Sequence, residues 1–196
     1  EDSTNYSFFE RLAVGAYTYC VYLIKFILPY EMSPMYPYQA KMPPHYYAGF
    51  VGVIVAIGLF VLAWKKGWKK VVFGMAFFTF NVMFLLQILS AGQGLLADRF
   101  TYIGYFGLFF MVAALLFNWS KSSAGLRRKV NIGMGMYILL MGIMTFQQTK
   151  IWQNGLVMWS HVHKLYPQTP VPLANIGHYY RSKKDSSSLK DYDKVT

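Results

Sequence analysis

Hydrophobic and polar positions in this chain do not alternate; they segregate into blocks. Tyr46 to Trp64 is a run of 19 residues without a charge. At 1.5 Å per residue a helix of that length covers roughly 28 Å, close to the hydrocarbon core of a bilayer. Val71 to Leu89 is a second run, with Asn81 and Gln87 as its strong polar groups. Tyr102 to Phe117 is a third, shorter and aromatic, and Val130 to Phe146 a fourth, rich in glycine and methionine. No soluble fold needs four such runs in succession, so the pattern predicts an all-α, polytopic membrane bundle of four spans. Leu12 to Leu28 is different: its uncharged part stops at Ile24, before Lys25. Thirteen uncharged residues suit an interfacial or re-entrant helix better than a span, the alternative being a spanning helix whose Lys25 snorkels. After Gln147 polar and aromatic residues mix. Ile151, Leu156, Trp159 and Leu165 keep near-helical spacing, and Pro167, Pro170 and Pro172 interrupt it. The expected tail has helices beginning near Ile151 and Val171, then a turn or cap at Ser186 to Ser188. Two short helices joined by a turn read as the start of a helical repeat. The expected division is a membrane domain over 1–149 and a helical tail over 150–196.

Composition strengthens this reading. Hydrophobic residues make up 55%, aromatics 19% and charged residues only 14%, against about 25% charged in a typical soluble domain. Disorder, a nucleic-acid-binding tail and a common cytosolic enzyme are excluded. The net charge of +11 is then read as basic loops facing anionic lipid, and no nucleic-acid partner is expected. The single cysteine, Cys20, excludes an internal disulfide framework and a Cys-based zinc site. The chain starts at Glu1 without a signal-peptide pattern and stops in apparent helix, so a fragment of a longer protein is expected.

Loop charges set an orientation. Lys65, Lys66, Lys69 and Lys70 crowd one loop, and Lys121, Arg127, Arg128 and Lys129 another. The loops from Pro29 to His45 and from Ser90 to Thr101 are neutral overall, carrying Glu31 with Lys41 and Asp98 with Arg99. The positive-inside rule puts the basic loops in the cytoplasm, and the neutral loops and both chain ends outside. Ala48, Gly52 and Ala56 form a small-residue stripe that suits close helix packing within the bundle, the alternative being a dimer seam.

Candidate chemistry is sparse. Val71 to Ser120 is 50 residues with two charges, the adjacent Asp98 and Arg99 at the mouth of a span. Asp98 can cap the following helix and Arg99 can snorkel to lipid phosphate. The functional alternative is that Arg99 holds an anionic substrate through its planar fork, with Asp98 orienting it or touching a sugar hydroxyl. The proline- and tyrosine-rich loop on the same side offers Glu31, Tyr36 and Tyr38, a carboxylate and aromatic faces that suit carbohydrate and lipid headgroups alike. His161 and His163 are two apart, the wrong spacing for a helical metal pair, and no metal is assigned. Of the sequons Asn5-Tyr6-Ser7 and Asn118-Trp119-Ser120, the second falls on the cytoplasmic side.

Three motifs in order resemble one family. Phe9-Glu10-Arg11-Leu12, an aromatic helix, Leu28-Pro29, Met32-Ser33 and Tyr36-Pro37-Tyr38 look like an outer helix and its loop. Ala97-Asp98-Arg99-Phe100-Thr101-Tyr102 looks like an acidic-Arg-aromatic-x-Tyr motif. Trp152, Asn154, Trp159, Pro167 and Ala174-Asn175-Ile176-Gly177 with Tyr180 look like the entry to a first repeat, although the second repeat helix fits less well. Together they resemble the C-terminal membrane half of GT-C type glycosyltransferases that carry tetratricopeptide repeats, a group that includes transmembrane O-mannosyltransferases and bacterial relatives. The resemblance implies a polyprenyl-phosphate sugar as donor substrate and transfer on the extracytoplasmic side. It also implies a catalytic carboxylate in an early outer loop that this chain does not contain, so no catalytic base is assigned. Arg99, Asp98 and Tyr102 are the expected donor-phosphate residues, and Glu31, Tyr36 and Tyr38 the outer-loop substrate candidates. Expected partners are membrane lipid, the lipid-linked sugar, and a protein acceptor or partner on the repeat tail. The alternative is a non-catalytic membrane scaffold whose tail recruits a protein.

Overall fold

The computed structural model describes residues 6–37, 42–86, 94–96 and 98–183. Among the described residues are seven α-helices: α1 (Phe8–Ile27), α2 (Ala48–Lys65), α3 (Lys69–Met83), α4 (Tyr102–Ser120), α5 (Ala124–Thr149), α6 (Gly155–Leu165) and α7 (Pro170–Lys183). Two short strands, β1 (Tyr36–Pro37) and β2 (Gly94–Leu96), pair antiparallel. The chain divides into two compact units, Glu1–Ile138 and Leu139–Thr196, with the division inside α5.

Among the described residues three helical segments are long and apolar enough to cross a membrane: Pro44–Lys65, Tyr102–Ser120 and Ala124–Trp152, with mean hydropathies of 2.3, 1.6 and 1.4. Their exposed faces carry Val51, Ile54, Phe106, Leu139 and Phe146, surface that water would solvate poorly. The expected span from Val71 to Leu89 is not among these three, and its last residues, from Gln87 on, lie outside the described residues. Its helix, α3, stops at Met83 after 15 residues, about 22 Å and short of a full hydrocarbon core. The ladder tightens there, since the Leu85 N–H turns to the Val82 carbonyl three residues back at 2.8 Å. Apolar character continues in the sequence past that point, and Phe84 to Leu86 form a turn.

α1 begins with a capping box. The Ser7 hydroxyl accepts from the Glu10 N–H at 3.4 Å and the Glu10 carboxylate accepts from the Ser7 N–H at 2.7 Å. These bonds hold the exposed Glu10 carboxyl below the usual carboxylate range. Further along, α1 meets α2 at Gly49 and Gly52, where a Cβ would strike the Ala16–Tyr17 backbone and the Cys20 sulfur. It meets α3 at Phe78 and Thr79, and α4 at Tyr105 and Phe109. Those positions are the start of α2, the end of α3 and the start of α4. α1 therefore packs against α2, α3 and α4 together. The small-residue stripe acts here, although Gly49 rather than Ala48 makes the tightest approach.

A glycine turn links α2 to α3. Gly67 has φ +67°, and the N–H groups of Gly67 and Trp68 close onto the Trp64 and Ala63 carbonyls at 3.0 and 2.9 Å. α3 and α4 then pack backbone to backbone: a Cβ on Gly74 would lie 2.5 Å from the Gly107 carbonyl, and one on Gly107 2.6 Å from the Gly74 carbonyl. Val14, Tyr22, Phe78 and Val82 fill the core beside this contact. α5 buries none of its residues. In the second unit Asn154 caps α6 by accepting from the Val157 N–H at 2.9 Å. α7 takes Pro170 and Pro172 into its first turn, where a missing N–H costs nothing. The helices begin at Gly155 and Pro170, with a 3₁₀ turn over Lys150–Trp152 where the first was expected. Val162, Ile176 and Tyr180 are buried between α6 and α7, whereas a Cβ on Gly177 would meet nothing. Ser186 to Ser188 lie outside the described residues.

Candidate functional site: a buried ion pair behind an exposed arginine

The β1–β2 pairing sets Tyr36 opposite Leu96. It thereby draws the proline-rich loop after α1 against the segment that enters α4. Asp98, Arg99 and Phe100 form a single 3₁₀ turn at that entry.

Asp98 turns inward. Its carboxylate forms a salt bridge with Lys25 at 3.2 Å, the two side chains being 10% and 3% exposed. This is the one salt bridge found among the described residues. The Ser33 N–H donates to Asp98 Oδ2 at 2.9 Å, and the Tyr36 hydroxyl donates to the same oxygen at 2.6 Å. The Tyr36 oxygen in turn accepts from the Lys25 ammonium and from the Ser33 N–H. The Lys25 ammonium also sits 4.4 Å from the Tyr36 ring centre and 5.4 Å from that of Tyr30. Burial pushes the Lys25 pKa down from the ordinary lysine value, and the Asp98 carboxylate works in the opposite direction. A charge so placed is tolerable only because its partners are assembled around it.

Two local features serve this cluster. Glu31 adopts φ 43°, a left-handed conformation uncommon outside glycine, which turns its carbonyl to 2.8 Å from the Tyr36 hydroxyl and 3.5 Å from Lys25 Nζ. The Asp98 carbonyl accepts from the Thr101 hydroxyl at 2.9 Å, and Thr101 is buried. The Asp98 side chain does not cap α4. The N-cap residue is Thr101, with no side-chain cap bond, because both Asp98 carboxylate oxygens face the Lys25 cluster.

Arg99 faces the other way. It is exposed, makes no salt bridge among the described residues, and lies with its guanidinium carbon 4.8 Å from the Phe100 ring centre. Tyr102, first residue of α4, is 66% exposed beside it. The sequence-selected residues thus separate into two sets. Asp98 and Tyr36 belong to the buried cluster; Arg99, Tyr102 and Glu31 are open to their surroundings. Tyr38 lies outside the described residues. Sequence reasoning missed Lys25 and Ser33. Lys25 stood as the break in an apolar run or as a snorkelling residue, and Ser33 acts through its backbone N–H, which no residue type advertises.

An apolar recess of about 580 Å³ opens between α1, α2 and α3, lined by Leu12, Ala16, Phe50, Ala56, Met75 and Phe80 among others. On its wall Tyr19 and Thr79 hydroxyls hydrogen-bond at 2.9 Å. Among the described residues no three His, Cys, Asp or Glu side chains gather as a metal site would need. The chain matches no protein-family model, no curated protein and no solved structure.

Proposed function

We propose that this chain is part of a membrane glycosyltransferase of GT-C type that transfers sugar from a polyprenyl-phosphate donor on the extracytoplasmic face. The carrying observation is the exposed Arg99 at the mouth of α4, on a turn whose other side is anchored by a buried ion pair. An acceptor hydroxyl attacks the anomeric carbon, the carbon–oxygen bond to the lipid phosphate breaks with its electron pair leaving on the phosphate, and the hydroxyl proton ends on that phosphate, so the products are the glycosylated acceptor and the free lipid phosphate. A fixed cation at that phosphate stabilises the transition state more than the ground state. Arg99 fills this role with Tyr102 beside it, and Asp98 holds the turn. Glu31 remains a substrate contact of the outer loop. The recess beside α1 supports a lipid substrate, since an apolar cleft of this size suits a hydrocarbon chain.

In this reading α3, continued by the apolar residues after Met83, is a fourth span, α1 lies at the outer face, and the loops Lys65–Lys70 and Lys121–Lys129 are cytoplasmic. The tail with α6 and α7 is extracytoplasmic and begins a tetratricopeptide-like repeat that binds a protein acceptor or partner. Impermeant labelling of single cysteines in intact cells, in a background lacking Cys20, checks the sides: Gln93→Cys reacts and Ser122→Cys does not. The reverse pattern inverts the topology.

The chemical test is transfer from a polyprenyl-phosphate sugar by the full-length protein in membranes, normalised to folded protein. Arg99→Lys, losing one of two parallel charge-assisted bonds worth roughly 1.5–3 kcal/mol each, lowers transfer about 10- to 100-fold. Arg99→Ala lowers it further. Full activity in both variants leaves Arg99 as a snorkelling residue and removes the donor site; absence of transfer by the parent protein favours the scaffold reading.

A further inference from the structure

We infer that Lys25 is the positioning residue for Arg99, acting through Asp98 from a helix 73 positions upstream. The inference rests on the donor-site reading above for what Arg99 does, and on independent geometry for how it is held. Asp98 and Arg99 share one 3₁₀ turn of three residues. A turn that short has little freedom: if the Asp98 side chain is fixed, the direction in which the next residue leaves the backbone is fixed with it. Asp98 is fixed from three sides, by the Lys25 ammonium, the Ser33 N–H and the Tyr36 hydroxyl. Of these only Lys25 carries charge, and it alone comes from a long helix that is itself packed against α2, α3 and α4. The other two come from the loop that follows α1. Tyr36 and Ser33 also contact each other at 3.0 Å, and Lys25 bonds to the Tyr36 oxygen. Lys25 therefore gathers loop and turn together. Its own ammonium is buried and reaches no outside ligand, so it acts on the donor only by placing Arg99. Displacing a charge-stabilising group by about 1 Å can cost about 100-fold in rate, which is the scale on which such placement matters.

The test uses the full-length protein in membranes and two readouts. The first needs no substrate: hydrogen exchange at residues 98–105. Lys25→Met is expected to speed exchange of the Thr101 and Tyr105 amides, whose bonds run to the Asp98 and Thr101 carbonyls. Unchanged exchange overturns the positioning role whatever the activity does. The second is a double-mutant cycle on transfer from a polyprenyl-phosphate sugar, with kcat and donor KM measured separately. Lys25→Met alone is expected to lower transfer about 10- to 100-fold, and Lys25→Met combined with Arg99→Ala to be no worse than Arg99→Ala alone, because one acts through the other. Losses that multiply overturn the proposal. Full activity of Arg99→Ala overturns the donor-site reading on which it rests, and the exchange result then still decides whether Lys25 holds the turn. Should Lys25→Met fail to fold, Lys25→Met/Asp98→Leu removes both buried charges together and leaves neither unpaired. It is expected to fold, to lose transfer, and to show the same non-additivity with Arg99→Ala.

Discussion

Asp98 and Arg99 are neighbours in sequence and opposites in setting. The inner side of their turn holds Asp98, Lys25, Ser33 and Tyr36, with every charge answered by a partner within 3.3 Å. The outer side holds Arg99 and Tyr102, both exposed, with a neighbouring ring as Arg99's nearest ionic-type contact. A buried charge must be matched by the protein itself, because desolvation costs several kcal/mol per ion. An exposed charge needs no such match and keeps its hydrogen-bonding fork for lipid or ligand. Under the proposed function the difference divides labour across one turn: stability resides on the inner side and donor recognition on the outer. Substitutions that affect folding should therefore cluster on the first side, and substitutions there should fall in a definite order.

The largest effect is expected at Lys25. Lys25→Met leaves the Asp98 carboxylate buried without its counter-charge, and breaking a buried pair by removing one partner costs about 3–5 kcal/mol. The measurement is reversible unfolding in mild detergent. A loss below about 1 kcal/mol would mean that Asp98 reaches water when Lys25 is gone, and that the inner side is not closed. Replacing both residues by apolar ones should recover most of the loss, since no unpaired charge remains.

Tyr36→Phe comes next. It removes the hydroxyl proton donated to Asp98 and the oxygen that accepts from Lys25 and Ser33, while the ring stays to cover the ammonium. A hydrogen bond to a charged group is worth roughly 1.5–3 kcal/mol, and the Lys25–Asp98 contact itself survives, so the loss should sit in that range and below that of Lys25→Met. An effect equal to Lys25→Met would make the phenol, not the ammonium, the centre of the cluster.

How much of this was legible in the sequence follows from the same contrast. The helices could be read because composition alone marks an uncharged run. Asp98 and Arg99 could be singled out because they are the only charges in their stretch of 50 residues. Their division of labour could not, because the residue that claims Asp98 lies 73 positions away, and only the β1–β2 register brings the intervening loop home. The end of α3 at Met83 was equally hidden, since apolar residues continue to Leu89 without marking where the backbone ladder tightens. Gly74 and Gly107 carried no motif to distinguish them from Gly133 or Gly142. Yet the first two admit no side chain, while the last two have open space around them.

Glu31→Gly should move stability less, and upward. The left-handed conformation at φ 43° costs a residue with a Cβ roughly 1–2 kcal/mol, and glycine returns roughly 0.5–1 kcal/mol of that through its larger unfolded-state entropy. The net gain is between about 0 and about 1.5 kcal/mol, read in the same unfolding experiment. A loss instead would show that the Glu31 side chain contributes to the inner side despite its exposure.

The smallest effect is expected at Arg99, and its smallness is what gives the comparison its force. Arg99→Ala removes an exposed guanidinium that makes no salt bridge among the described residues and lies over the ring of its own neighbour, 4.8 Å from the centre. A contact of that kind at an exposed site is worth about 0.5–1 kcal/mol at most, and exposed substitutions away from caps and cores usually stay within about 0.5 kcal/mol. Unfolding of Arg99→Ala should therefore overlap that of the parent protein, while transfer from the lipid-linked sugar falls by more than tenfold. That combination, folding intact and activity lost, is the mirror image of a purely architectural residue. Were Arg99→Ala instead to destabilise the protein by 2 kcal/mol or more on the hydrogen-bond scale used above, Arg99 would belong with Asp98 on the inner side. The turn would then have no outward face left to offer a phosphate.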